Sequence, residues 1–297
     1  MRTVGLLGFG EAGSLFATGL VAAGAENVVA YDIAQDTSRL VRERASRVGV
    51  HLVDGPDQLA ARADIIVSAV ICSRSEEAAA HIAPSLRPGT FFLDINSTAA
   101  GAKQRNAALV ERSGAAYVDV AVMANATSDL TRLPLLLSGP RAAEVIGLLA
   151  PAPIVADVVS DVPGDAARIK MFRSLLVKGL EALSLEAMMA CFPAGVHEQV
   201  LASFEDTFGR YTFTELVRHL IERHSVHGSR RADELDEVAL SLSEVGVLPL
   251  MAEAGHRRMM WDVERGLQAR FDAGQDPDWI DVLEALDELR REDSGQP

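Results

Sequence analysis

From residue 3 to about residue 160 the chain alternates short apolar runs with helix-length stretches. The order is TVGLLGF, EAGSLFATGLVAAG, NVVAYD, a polar helical segment, DIIVSAV, a helix ending near Pro84, and then TFFLDIN. Strands separated by helices predict a parallel sheet with crossover helices on its faces. A second group of apolar runs follows, AAYVDVAVM, LPLLLS and PIVADVV, which could extend the same sheet.

Past Asp161 the strand signals disappear. VPGDAARIKMFRSLLVKGLEALSLEAMMA has helix formers throughout and apolar residues at helical spacing, with Asp165 as a cap, and predicts one helix of about seven turns. Segments near 198–223, 230–245, 249–272 and 277–291 also read as helical, broken at Gly228, Pro249 and Pro277. The expected fold class is therefore α/β: an N-terminal Rossmann-type doubly wound sheet over residues 1–162, followed by an all-α C-terminal domain over 163–297.

Composition narrows the partners. At 297 residues the chain fits two domains, and 42 acids against 28 bases give a net charge of −14. Such a field repels phosphate backbones and anionic membrane surfaces, which counts against nucleic acid and membrane partners. Half of that charge lies in Trp261–Pro297, with eleven acids and four arginines, so it reflects an amphipathic terminal helix more than a ligand. Ile280, Leu283, Leu286 and Leu289 are the expected apolar stripe of that helix. No apolar run approaches the ~18 residues of a spanning helix, and no signal segment opens the chain, so the expectation is a soluble, unprocessed, cytoplasmic protein. Two cysteines, Cys72 and Cys191, are too few for a disulfide scaffold or a cysteine-based zinc site.

Gly8-Phe9-Gly10-Glu11-Ala12-Gly13 is a GxGxxG placed directly after the first strand and opening a helix. In that context the first glycine permits a tight turn, the second lets backbone approach a pyrophosphate, and the third allows close helix-strand packing. Asp32 ends the second strand nineteen residues after Gly13, where a carboxylate accepts hydrogen bonds from the adenosine ribose. NAD is the expected cofactor. NADP stays open, because Arg39 and Arg42 on the next helix could turn toward a 2′-phosphate. Val70, just past the fourth strand, completes the expected cofactor residues.

Asn96, Ser97 and Thr98 fall at the carboxyl end of a strand, the edge where ligands of open α/β sheets bind. Lys170 and Ser174 are four residues apart on the long helix and share a face. A lysine near the start of a mostly apolar helix, at a cleft between domains, would be partly desolvated, which lowers its pKa toward a usable acid/base range. A solvated or ion-paired lysine is the plainer alternative.

GLLGFGEAGSLFATGL, DINST, YVDVAVM, LLLSGP and GDAARIKMFRSLLVKGLEALSLEA, in this order, resemble the β-hydroxyacid dehydrogenase family, which includes 3-hydroxyisobutyrate and 6-phosphogluconate dehydrogenases. The resemblance covers roughly the first 190 residues. Within the family the chain is most similar to dehydrogenase-like proteins whose C-terminal helical domain has no assigned function. The resemblance implies that Lys170 exchanges a proton with the substrate oxygen and that Ser97 and Thr98 grip the substrate. It places Met123, Ala124 and Asn125 where relatives offer a glycine pair to a carboxylate, and Ser174 where they carry an asparagine. Ser174 is shorter and Ala124 adds a methyl, so the lysine chemistry carries over more securely than the substrate specificity.

These residues point to an NAD(P)-dependent oxidoreductase acting on a small anionic hydroxy or oxo acid. An imine reductase of the same superfamily and a non-catalytic dinucleotide-binding protein are the alternatives. Arg257, beside Arg258 on a predicted helix, could reach an anionic substrate group or simply neutralise nearby acids. His219, His224 and His227, spaced five and three apart, do not share one helix face, and no metal site is expected. Relatives bury the apolar stripes of such helical domains by dimerising, so a homodimer is expected.

Overall fold

The computed structural model describes residues 2–123, 133–149, 154–271 and 277–295. Ala124 and Asn125 lie outside the described residues. Among the described residues, eight strands form one sheet: β1 (Val4–Leu7), β2 (Val28–Tyr31), β3 (His51–Leu52), β4 (Ile65–Ser68), β5 (Phe91–Asp94), β6 (Ala116–Val122), β7 (Leu133–Ser138) and β8 (Ile154–Ser160). Among the same residues, six helices accompany them: α1 (Glu11–Ala22), α2 (Arg39–Val48), α3 (Pro56–Arg62), α4 (Ser75–Ile82), α5 (Ala100–Glu111) and α6 (Ala142–Leu149). Five more follow: α7 (Asp165–Cys191), α8 (His197–Phe208), α9 (Phe213–Glu244), α10 (Leu250–Glu264) and α11 (Trp279–Ser294).

The strand order is β3-β2-β1-β4-β5-β6-β7-β8, the doubly wound arrangement extended by two strands. β1 to β6 pair in parallel, and their side chains alternate between two cores. Leu6, Val67, Leu93 and Val118 join Phe16 and Val41 on one face. Leu7, Ile66, Phe92 and Tyr117 join Leu59, Ile82 and Val110 on the other. Helices cover both faces, so these strands are largely apolar, as a buried parallel sheet requires, with Asp94 and Asp119 as buried exceptions. β7 departs from the parallel expectation and runs antiparallel to β6. Only ten residues separate the two strands, short of the crossover a parallel return needs.

The chain forms two compact units that divide within α7, Met1–Leu176 and Val177–Pro297. The expected long helix is present over 27 residues, but its start is held differently from the expectation. Asp165 pairs with Arg168 and accepts from the Ser160 hydroxyl at 2.7 Å. The first free N–H groups go to the sheet instead: Ala166 N donates to Ser138 Oγ at 3.1 Å and Ala167 N to Asp119 Oδ2 at 2.8 Å.

The second unit corrects two sequence expectations. Gly228 does not end a helix; α9 continues across it with a kink at His227 (φ −122°, ψ 17°). His224 lies inside this helix, with Nε2 2.9 Å from the buried Asp262. In α11 the buried stripe is Val282, Ala285 and Leu289, whereas Ile280 and Leu283 are partly exposed, because α9 and the turn at Leu267 meet the helix from that side. α10 begins after Pro249 without a side chain of its own to cap it. The buried Glu186 of α7 takes that role, accepting from Met251 N at 2.7 Å and Ala252 N at 3.0 Å.

Candidate active site

The glycine turn is fixed from both sides. Gly8 has φ +96°, and a Cβ there would stand 2.4 Å from Ala69 O; a Cβ on Gly13 would stand 2.2 Å from Gly8 O. Both positions therefore exclude a side chain because backbone is already there. Gly10 is different: nothing lies within 4 Å of the space its Cβ would fill. That opening, at the N-terminus of α1 and its free N–H groups, is shaped for an anion that approaches backbone closely.

Asp32 ties the turn to the end of β2. Its Oδ2 accepts from Phe9 N at 2.7 Å and its Oδ1 from Ala34 N at 2.8 Å. Phe9 itself is fully buried, so its role is packing and this one N–H. Glu11 and Ala12 open α1 at the surface. Gly8, Gly10, Asp32 and Val70 line one cavity of about 610 Å³, whose apolar walls include Ile33, Pro56, Ile71 and Ala78. The residues present fit a dinucleotide: open backbone at Gly10, a carboxylate at the end of β2, and an apolar slot for a base. Arg39 is paired with Glu43 at 2.6 Å, and Arg42 donates to the Gln35 and Asp36 carbonyls at 2.7 and 2.9 Å.

The second half of the site sits at the carboxyl ends of β4 and β5. Asn96 accepts from Val70 N at 2.7 Å and donates to Ser68 Oγ at 3.0 Å, which fixes the turn carrying Ser97 and Thr98. Gly164 (φ +101°) brings the start of α7 against the start of α5, where a Cβ would meet Ala100 O at 2.8 Å. With α7 held there, Lys170 Nζ donates to Ser97 Oγ at 2.7 Å across 73 residues of sequence. Burial pushes the Lys170 amine below the ordinary lysine range; Lys103 and Arg173 add to the depression, and Cys72 and Asp119 oppose it. Thr98 Oγ1 is buried with no hydrogen-bond partner, an acceptor and donor free for a ligand. Ser174 lies one turn beyond Lys170 at intermediate exposure, and Met123 N donates to Pro134 O at 2.8 Å.

Sequence reasoning missed the charged layer beneath these residues. Lys103, fully buried, reaches Asp94 at 2.9 Å and Asp119 at 3.2 Å. Burial alone would raise the Asp94 carboxyl; Lys103, with hydrogen bonds from Asn106 and Tyr117, outweighs it and holds the group below the ordinary carboxylate range. The signal was present: an Asp inside the apolar run AYVDVAV has to be paired if that strand is buried. Arg257 belongs to the second unit, on α10, where it is 70% exposed and 3.8 Å from Glu253. Among the described residues no group of His, Cys, Asp and Glu is placed to hold a metal, and no helix is long and apolar enough to cross a membrane.

Comparison with known proteins agrees with this geometry. Residues 3–143 match the NAD binding domain of 6-phosphogluconate dehydrogenase, and residues 193–261 match a domain of unknown function, DUF1932. A conserved hypothetical protein from Sinorhizobium meliloti is 30% identical, over 98% of this chain and 97% of its own, with a TM-score of 0.61. A conserved protein of unknown function, described as structurally similar to 3-hydroxyacid dehydrogenases, is 28% identical over 90% of this chain and 99% of its own, with a TM-score of 0.60. An imine reductase from Myxococcus stipitatus, solved with NAD+, shares the fold at 16% identity and a TM-score of 0.75, over 96% and 99% of the two chains. The chain thus belongs to the family of the Sinorhizobium meliloti protein, with a Rossmann-fold NAD(P)-binding oxidoreductase architecture related to the 6-phosphogluconate and 3-hydroxyacid dehydrogenases and a C-terminal helical domain.

Proposed function

We propose that this oxidoreductase acts on a small, carboxylate-bearing hydroxy or oxo acid, with Lys170 as the proton-transfer group and Ser97 as its partner. The observation that carries the reading is the 2.7 Å contact between Lys170 Nζ and Ser97 Oγ at the carboxyl edge of the sheet. The nicotinamide, when bound, supplies or accepts the hydride. Lys170 in its neutral form takes the proton from a substrate hydroxyl during oxidation, and as ammonium gives it to a carbonyl oxygen during reduction. Partial desolvation favours the neutral amine, so the oxidative direction gains activity at a lower pH than an ordinary lysine would allow. Ser97 and the unpartnered Thr98 hydroxyl are the donors available to a carboxylate.

NAD is the cofactor this reading prefers. Asp32 keeps lone pairs toward the cavity beyond its two backbone bonds, and Arg39 and Arg42 are engaged along their own helix and loop. The reading also includes a homodimer: Phe172, Leu175, Leu180, Met189 and Phe192, spread around α7, are each about half exposed or more, apolar surface that association would cover.

A second reading, reduction of a C=N bond, is favoured by the likeness to imine reductases, whose TM-score of 0.75 exceeds the 0.60 of the protein of unknown function described as similar to 3-hydroxyacid dehydrogenases. The Lys170 and Ser97 pair favours the first. The deciding assay measures turnover of a hydroxy and oxo acid panel and of cyclic imines, with NADH and NADPH, for the parent and Lys170→Met. Acid turnover lost by about a hundredfold or more in Lys170→Met supports the proposal. Imine turnover that survives the substitution replaces it with the second reading, and cofactor binding without turnover of either panel overturns both.

A further inference from the structure

Beneath Lys170 and Ser97 lies a buried group of charged side chains that the proposed proton transfer does not itself use. Lys103 Nζ donates to the Asp94 carbonyl at 2.7 Å and its carboxylate at 2.9 Å, and stands 3.2 Å from Asp119 Oδ1. Asp94 also accepts from Asn96 Nδ2 at 2.7 Å, Asn106 Nδ2 at 3.0 Å and Tyr117 Oη at 2.8 Å. The remaining oxygen of Asp119 accepts from Ala167 N, at the start of the helix that carries Lys170. Lys103 and both aspartates are essentially inaccessible to solvent.

We infer that Lys103 and Asp119 are positioning residues for Lys170, joining the carboxyl end of β5 and the middle of β6 to the first turn of α7 and setting the charge that its amine meets. The inference rests on Lys170 being the proton-transfer group. A buried ion set of this kind is weak as a source of stability, because desolvating three charges offsets most of their attraction. What it does supply is a fixed geometry. Asp94 and Asp119 together carry one formal charge more than Lys103 neutralises, and that excess sits against the positive end of α7, where helix N–H groups favour it. Five residues further along α7 is Lys170.

The same two groups pull the Lys170 amine in opposite directions. The charged and titratable groups that act on it are Lys103 on α5, Asp119 on β6, Cys72 past β4 and Arg173 on α7 itself. Lys103 disfavours the ammonium and Asp119 favours it. Removing either charge therefore has a signed consequence.

The test labels the full-length protein with acetic anhydride over a pH series and reads modification of Lys170 by mass spectrometry; no substrate or cofactor is needed. In Asp119→Asn, which keeps Lys103 paired with Asp94, the labelling midpoint moves to lower pH, with about a threefold larger neutral fraction at a fixed pH below it. In Lys103→Met it moves to higher pH by a similar factor. A merely structural role gives the reverse sign for Asp119→Asn, since loosened packing rehydrates the amine and returns it toward the ordinary lysine range. That reversal, or a midpoint identical to the parent's, overturns the inference. Lys103→Met leaves two buried carboxylates without a cation; if circular dichroism shows that it does not fold, Asp119→Asn decides alone. Failure of the proposed function is read separately, as turnover surviving Lys170→Met, and leaves the labelling result intact.

Discussion

Substituting two glycines of the first turn, Gly10 and Gly8, should separate fold from cofactor binding. Gly10 has φ −70°, open to alanine, and its Cβ would meet no atom within 4 Å. Gly10→Ala should therefore leave stability within about 0.5 kcal/mol of the parent. The methyl would occupy the space at the N-terminus of α1 that a pyrophosphate needs. Losing one charge-assisted N–H to phosphate contact costs about 1.5–3 kcal/mol, which weakens dinucleotide binding roughly 10- to 150-fold. Gly8→Ala behaves differently: φ is +96° and the new Cβ would lie 2.4 Å from Ala69 O, so the turn itself must move and the melting temperature falls with the affinity. The assay pairs thermal melts with NADH and NADPH titrations followed by nicotinamide fluorescence. A Gly10→Ala protein that melts like the parent and binds both dinucleotides equally well would place the pyrophosphate elsewhere and refute the assignment of this turn.

Two further outcomes follow from the helices. Glu186→Ala removes both acceptors at the start of α10, whose preceding Pro249 provides no side-chain cap, and should destabilise the protein by about 2–3 kcal/mol in urea unfolding; a loss under about 0.5 kcal/mol would show that water replaces the carboxylate. Sedimentation should give a dimer at micromolar concentration, and Leu175→Glu, at an exposed position of α7, should shift it toward monomer; a parent that sediments as a monomer would remove the homodimer from the proposal.

Several features are fixed by contiguous residues because the physics that sets them is local. The turn at Gly8 to Gly13, Asp32 at the end of β2, the long helix bearing Lys170 and the break before Pro249 all depend on side-chain size, helix propensity and apolar period within a few residues. The candidate site was half legible. Lys170 and Ser97 were both singled out, but their contact depends on Gly164 admitting α7 against Ala100, which no local pattern states.

The sequence by itself thus determined the class of fold, the order of its two parts and the dinucleotide turn, because short-range sterics and periodicity decide those. Only the tertiary structure decided the return direction of β7, the kink in place of a break in α9 and the buried face of α11. It alone brought Lys103, Asp94 and Asp119 together beneath Lys170, from three elements. Burying a charge is unfavourable until its partners arrive, and those partners come from distant segments, so their meeting is a property of the assembled sheet rather than of any stretch of chain.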